Sequence, residues 1–145
     1  MVLVIVVAVL AFLAISALLA RVFSVDGAER SAITGLVQAE AHGDLAGMLS
    51  RMHDCGPACG ARVRADALEL RRAGAVSVLQ IQPSAGFSLG GTLGTARVAW
   101  RAGGSLPVVQ CVRVRRAGNA LSGLTVELLD LSRRIKSDAD CPAQF

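Results

Sequence analysis

Two histidines, four cysteines and a concentration of arginines are the residues through which this chain of 145 residues could do chemistry. His42 stands in His42-Gly43-Asp44, and His53 lies beside Cys55-Gly56-Pro57-Ala58-Cys59. General acid–base work needs such a side chain in a pocket with a partner. His42 falls at a helix end, where the helix dipole favours it, and His53 falls in a turn, so both are expected to face water. Asp44 reads as a helix cap rather than a pocket acid. A metal site from His53, Cys55 and Cys59 with Asp54 or His42 would need a spacing that no common zinc pattern shows. Thioredoxin-like chemistry uses two residues between its cysteines, and here there are three, Gly56, Pro57 and Ala58. No metal and no cofactor are expected, and no Gly-rich phosphate loop, nucleophile elbow or carboxylate pair stands out.

The cysteines have a structural use instead. An even set in a small chain favours disulfides in an oxidising compartment. Gly56-Pro57-Ala58 forms a turn that brings Cys55 and Cys59 within bridging range, which leaves Cys111 to pair with Cys141. The second bridge would tie a strand to the C-terminal tail.

Arg113, Arg115, Arg116, Arg133, Arg134 and Lys136 form the basic concentration of the sequence. The bland reading is a solvated sheet face and tail; the sharper one is contact with anionic lipid headgroups or an acidic partner, since a tethered domain stays near the bilayer. Nucleic acid is not expected, because no aromatic stacking residues are interleaved with these arginines. The net charge of +4 does not by itself indicate a nucleic-acid footprint.

These residues are positioned by a chain that divides after its first stretch. No charged residue precedes Arg21, and Val2 to Ala20 supplies the ~20 apolar residues that a membrane span needs, with Ser16 as the polar interruption. Residues 1–23 are therefore read as a transmembrane anchor, 24–30 as a polar linker and 31–145 as one α+β domain. Arg21, following the span, would place the domain in the cytoplasm by the positive-inside rule, whereas the cysteines place it outside. The cysteines are given the greater weight.

Within the domain, Asp26 and Glu29 resemble a capping box. Ile33, Leu36, Val37 and Ala41 recur at helical spacing up to Gly43, and Leu45, Met48, Leu49 and Met52 form a second stripe opened by Asp44. Val63, Ala67 and Leu70 line a third helix whose Arg62, Asp66, Glu69, Arg71 and Arg72 are expected to face water, with Gly74 ending it. The period then changes to two. Strands are expected over Val76 to Pro83, Thr92 to Arg101, Leu106 to Arg116 and Ala120 to Leu131, with a loop over Ser84 to Gly91 and turns at Ala102-Gly103-Gly104 and Ala117-Gly118-Asn119. Trp100 shares its alternation with Val98 and Ala96, which marks it as core or as lining of a pocket with Val98 and Val112.

Three short helices followed by a curved antiparallel sheet of about four strands, with the His42-Gly43-Asp44 break, the strand TARVAW and the long strand PVVQCVRVRR, resemble the nuclear transport factor 2-like superfamily over Asp26 to Leu131. The resemblance implies a cone-shaped α+β fold. Some members are isomerase-like or cyclase-like enzymes, and others are membrane-anchored bacterial extracytoplasmic domains. The isomerase-like enzymes use a tyrosine in the cone, and this sequence has no tyrosine. A pilin-like alternative would need a basic leader and an early glutamate, and neither is present. Arginine-rich, Ala-, Gly-, Val- and Leu-dominated usage suggests a G+C-rich bacterial genome. The sequence is thus read as a single-pass protein of the bacterial cytoplasmic membrane with its domain outside the cytoplasm. Its expected role is a non-enzymatic binding or assembly module for another envelope protein, and the rival is a small-molecule or lipid-like ligand binder or enzyme using the cone pocket.

Overall fold

The computed structural model describes residues 2–83, 93–119, 123–142 and 145. Its element order is α1 (Val2–His42), α2 (Leu45–Arg51), α3 (Pro57–Glu69), β1 (Val76–Pro83), β2 (Leu93–Ala102), β3 (Val108–Asn119) and β4 (Gly123–Leu131). The strands form one antiparallel meander in the order β1-β2-β3-β4. The fold is α+β, with the helices on one face of this sheet.

The first helix departs from expectation. The polar linker over 24–30 is helical, so α1 is one rod of 41 residues rather than an anchor, a linker and a short helix. Gly27 costs a helix about 1 kcal/mol relative to alanine, too little to break one whose far end is packed. Among the described residues, which leave out the side chains of 1–3 and 18–26, no helix is long and apolar enough to cross a membrane.

Where α1 packs, Ile33, Leu36, Val37 and Ala41 are fully buried, as their spacing requires. The helix ends at Gly43, whose φ of 69° is the left-handed conformation glycine adopts freely. The Gly43 N–H donates to Glu40 O at 2.9 Å and the Asp44 N–H to Ala39 O at 2.8 Å, the bond pair of a Schellman cap. Asp44 then caps α2, its carboxylate accepting from the Gly47 N–H at 2.9 Å. Pro57 occupies the first turn of α3, where no intrahelical donor is lost.

On the sheet's core face stand Ala96, Val98, Trp100 and Ala102 of β2 and Val108, Val112 and Val114 of β3, all buried against α1, Met48, Val63 and Leu70. In β1 a bulge between Val78 and Gln80 places Val78 opposite Trp100 and Ile81 opposite Val98. The extra residue, Leu79, is left 48% exposed. The turn expected at Ala117-Gly118-Asn119 is instead the end of β3, paired with Thr125, Leu124 and Gly123. The loop expected over Ser84 to Gly91 lies outside the described residues, as do Thr92 and Ala120 at the expected strand starts.

Both expected disulfides are present, Cys55–Cys59 with Cα atoms 5.3 Å apart and Cys111–Cys141 at 5.7 Å. After β4 the tail follows β3 briefly: the Ser132 N–H donates to Cys111 O and the Ile135 N–H to Val109 O, both at 2.8 Å. It then crosses the outer sheet face, where the Arg97 guanidinium donates to Ser137 O.

Candidate functional site

The most concentrated polar chemistry of the fold lies inside it. Glu40 of α1 and Gln110 of β3 occupy positions that helical and strand periodicity assign to the core, and both are fully buried. The Trp100 indole N–H donates to Gln110 Oε1 at 2.9 Å, and Gln110 Nε2 donates to Glu40 Oε1 at 2.7 Å and to Ser132 O at 3.2 Å. Ser132 Oγ accepts from the Cys111 N–H at 2.8 Å. A chain of hydrogen bonds thus runs from α1 through the sheet to the start of the tail.

Burial pushes the Glu40 carboxyl up to about 8, despite the opposing bond from Gln110, and the nearby Asp66 carboxylate adds to the rise. At neutral pH Glu40 is therefore largely protonated. Asp66, on α3, is 2% exposed rather than facing water as expected of a carboxylate; it lies three residues after Val63 on the buried side of the helix. Burial and Glu69 raise its carboxyl to about 6, against the attraction of Arg133 and Arg62. Glu40 Oε2 and Asp66 Oδ2 are buried without a hydrogen-bond partner among the described residues. A neutral carboxyl in an apolar setting is a common catalytic device. Here Trp100, Gln110 and Glu40 have no exposed surface, so the network holds α1 to the sheet and presents no group to a substrate.

The residues expected to line a pocket, Val98, Trp100 and Val112, are all part of the packed core with 0% exposure. Among the described residues a concavity lies elsewhere, between α1, the end of α2 and β4. It is a groove of about 540 Å³ with Arg30, Ser31, Thr34, Gln38 and Arg51 on its rim and Val126 and Leu128 beneath. Gly35 lets Arg51 lie close across α1: a side chain there would meet Arg51 Nε at 3.1 Å. No sequence motif marks this groove, since its residues come from three elements.

His42 is exposed at the end of α1. His53 is exposed too, with Nε2 at 3.4 Å from Asp54 Oδ2 and 3.9 Å from Glu127 Oε1. Arg115 joins the same cluster at the edge of β4, at 2.5 Å from Glu127 and 3.4 Å from Asp54. These solvated charges are a surface ion-pair network.

The expected basic surface does not come together as one patch. Arg116 turns to the core face and donates to the buried Glu29 at 2.9 Å. Arg113 lies over the Phe145 ring, 5.1 Å from its centre. Arg133, Arg134 and Lys136 are exposed on the tail. The buried acids Glu29, Glu40 and Asp66 were not marked as site residues by sequence reasoning, although Glu40 and Gln110 sit in register with the apolar stripes.

No family model matches the chain, and no curated protein or solved structure does so either.

Proposed function

We propose that this chain is a membrane-tethered binding module of a bacterial envelope, with its disulfide-bonded domain outside the cytoplasm and no catalysis of its own. The observation that carries the reading is the continuity of α1. One end of this helix is the centre of the domain core, and the other bears Val4, Ile5, Val6, Val7, Val9, Leu10, Phe12, Leu13 and Ile15, each between 49% and 71% exposed. Leaving such a side chain in water costs about 1.5–3 kcal/mol relative to burying it, so this cluster over residues 4–15 favours an apolar medium. Val2 to Ala20, at 1.5 Å per residue, is ~29 Å long and matches the hydrocarbon thickness of a bilayer. The pair of disulfides supports an oxidising side for the domain, against the weight of Arg21.

The element order, with helices on one face of a four-stranded meander, supports the nuclear transport factor 2-like shape as part of this proposal. The non-enzymatic reading is supported by the enclosure of Glu40, Gln110 and Trp100, which leaves the interior polar groups structural. With no flexible linker, the domain stands on the membrane at a fixed height, which suits a module that presents a surface to a partner.

A reporter enzyme that works only outside the cytoplasm, fused after Phe145, is expected to be active. Activity of a cytoplasm-only reporter at the same position would overturn the orientation.

A further inference from the structure

Helix α1 serves as a ruler for the domain. β3 runs antiparallel to it: Arg116 meets Glu29 at 2.9 Å, and Gln110 meets Glu40 at 2.7 Å. These two contacts lie about eleven helical residues apart, or ~16 Å. On the reading that the apolar part of α1 is in a bilayer, Glu40 stands ~30 Å beyond Ala20, several Debye lengths from the lipid surface.

This ruler divides the basic residues that the sequence groups together. Arg115 and Arg116 are engaged by Glu127, Asp54 and Glu29 toward the membrane end. Arg133, Arg134 and Lys136 leave the sheet where Ser132 is bonded to Cys111 and Ile135 to Val109, at the level of Glu40 or beyond. All three are exposed, and among the described residues none has a carboxylate within ion-pair distance. Arg71 and Arg72 reach the same far end: the Arg72 N–H donates to Ala41 O at 2.8 Å, and Arg71 packs on Gly43. Arg101 stands two residues before Gly103, whose Cα would touch a side chain placed on Gly74 at 3.0 Å. Two of the five acids at this end are committed. Asp44 caps α2, and Asp66 is buried beneath the surface near Arg133. Glu69 lies on α3, with Asp138 and Asp140 further along the tail.

We propose that this far end of the domain binds a phosphate-rich anionic polymer held away from the bilayer, and that lipid headgroups are not its ligand. Five of the six cations are arginines, whose planar fork pairs with phosphate oxygens two at a time, although the Arg72 guanidinium also donates to Glu69 O at 2.9 Å and Arg71 O at 2.8 Å. They are spread over a rim rather than gathered at one point, which suits repeated anions better than a single one. A protein partner would call for an apolar or aromatic centre, and the large apolar side chains exposed at this end, Leu68 on α3 and Leu106 before β3, stand on separate elements. The direction in which the face points rests on the proposed tether; its charge does not.

The test uses the full chain in nanodiscs of neutral phosphatidylcholine, with long-chain inorganic polyphosphate as the probe. Binding is expected to weaken with salt, to fall at least tenfold in R133Q/R134Q/K136Q and to be unchanged in R51Q, which lies in the groove near the other end. Circular dichroism and Trp100 emission establish that each variant is folded, and the single variants R134Q and K136Q replace the triple one should it unfold. Unchanged affinity in the triple variant, or an equal loss in R51Q, would overturn the proposal. Tighter binding to polyglutamate than to polyphosphate would overturn it in favour of an acidic protein. A parallel loss of binding to phosphatidylglycerol vesicles would overturn it in favour of lipid. Should the membrane tether itself be wrong, the chain would not stay with membranes, yet polyphosphate binding would persist, so the two failures are distinguishable.

Discussion

Glu40 is held in place at the cost of its charge. Its folded pKa of about 8 lies above the ordinary 4.5, so the folded state binds this proton more tightly than the unfolded chain does. Stability therefore falls as pH rises from about 4.5 to about 8 and is level outside that window, by an amount on the order of 4 kcal/mol. Asp66, raised from 3.8 to about 6, adds a slope of the same sign over its lower range. Glu40→Gln keeps the acceptor for Gln110 and removes the titration. Urea melts from pH 5 to 9 should show the variant within about 1 kcal/mol of the parent at pH 5 and more stable than it above pH 8. Parallel profiles would show that Glu40 does not titrate between the two states. Gly43→Ala tests the helix break in another way. It forces a side chain into the left-handed region and against Ala67 O at 3.2 Å and Arg71 Cδ at 3.0 Å. A loss of about 1–2 kcal/mol is expected in the same melts, while a neutral effect would remove the cap's claim to fix the α1–α2 corner.

The elements were legible where one force dominates. Ile33, Leu36, Val37 and Ala41 on α1 and Val63, Ala67 and Leu70 on α3 follow from periodicity, as does the change to strands after Gly74. Asp66 departs from expectation because a carboxylate on a helix is normally solvated, although its spacing from Val63 and Leu70 puts it on the buried face. The groove beside Arg51 and Gly35 was illegible for a related reason: it exists only once α1, α2 and β4 are in place. The β1 bulge was hidden because Val78 and Ile81 fit no single alternation until an extra residue is placed between them. The polar stretch 24–30 looked like a linker because Asp26 and Glu29 resemble a capping box that opens a new helix, but helix growth from a packed end runs through them. At this scale the disulfides differ in weight. Cys111–Cys141 closes a loop with a sequence separation of 30, against 4 for Cys55–Cys59. In the chain-entropy model these are worth roughly 3–4 and ~2 kcal/mol. Denaturant melts of C111A/C141A and C55A/C59A should show the larger loss in the first pair, since the tail beyond Ser132 has little apolar content to keep it docked. A larger loss from C55A/C59A would contradict this.

For the whole molecule, one uninterrupted helix joins an apolar rod to a cross-linked domain, and on the proposed membrane tether the domain's two ends differ in their distance from the bilayer. The described side chains of the rod do not enter the domain core, where Ile33 and the residues after it already pack on the sheet's core face. Rigidity follows from the same continuity and can be interrupted. Inserting Gly-Pro after Asp26 should leave the domain's melting unchanged, since the packed part begins near Glu29. It should broaden the distance between spin labels at position 15 and position 136. An unchanged distance distribution would show that α1 does not transmit orientation. The central claim is that Val2 to Ala20 lies in a membrane, and alkaline carbonate extraction of membranes from cells expressing the full chain tests it most directly. The account expects the protein to remain in the membrane pellet and Val9→Lys/Leu13→Lys to release it. Quantitative release of the unaltered chain into the soluble fraction would contradict it.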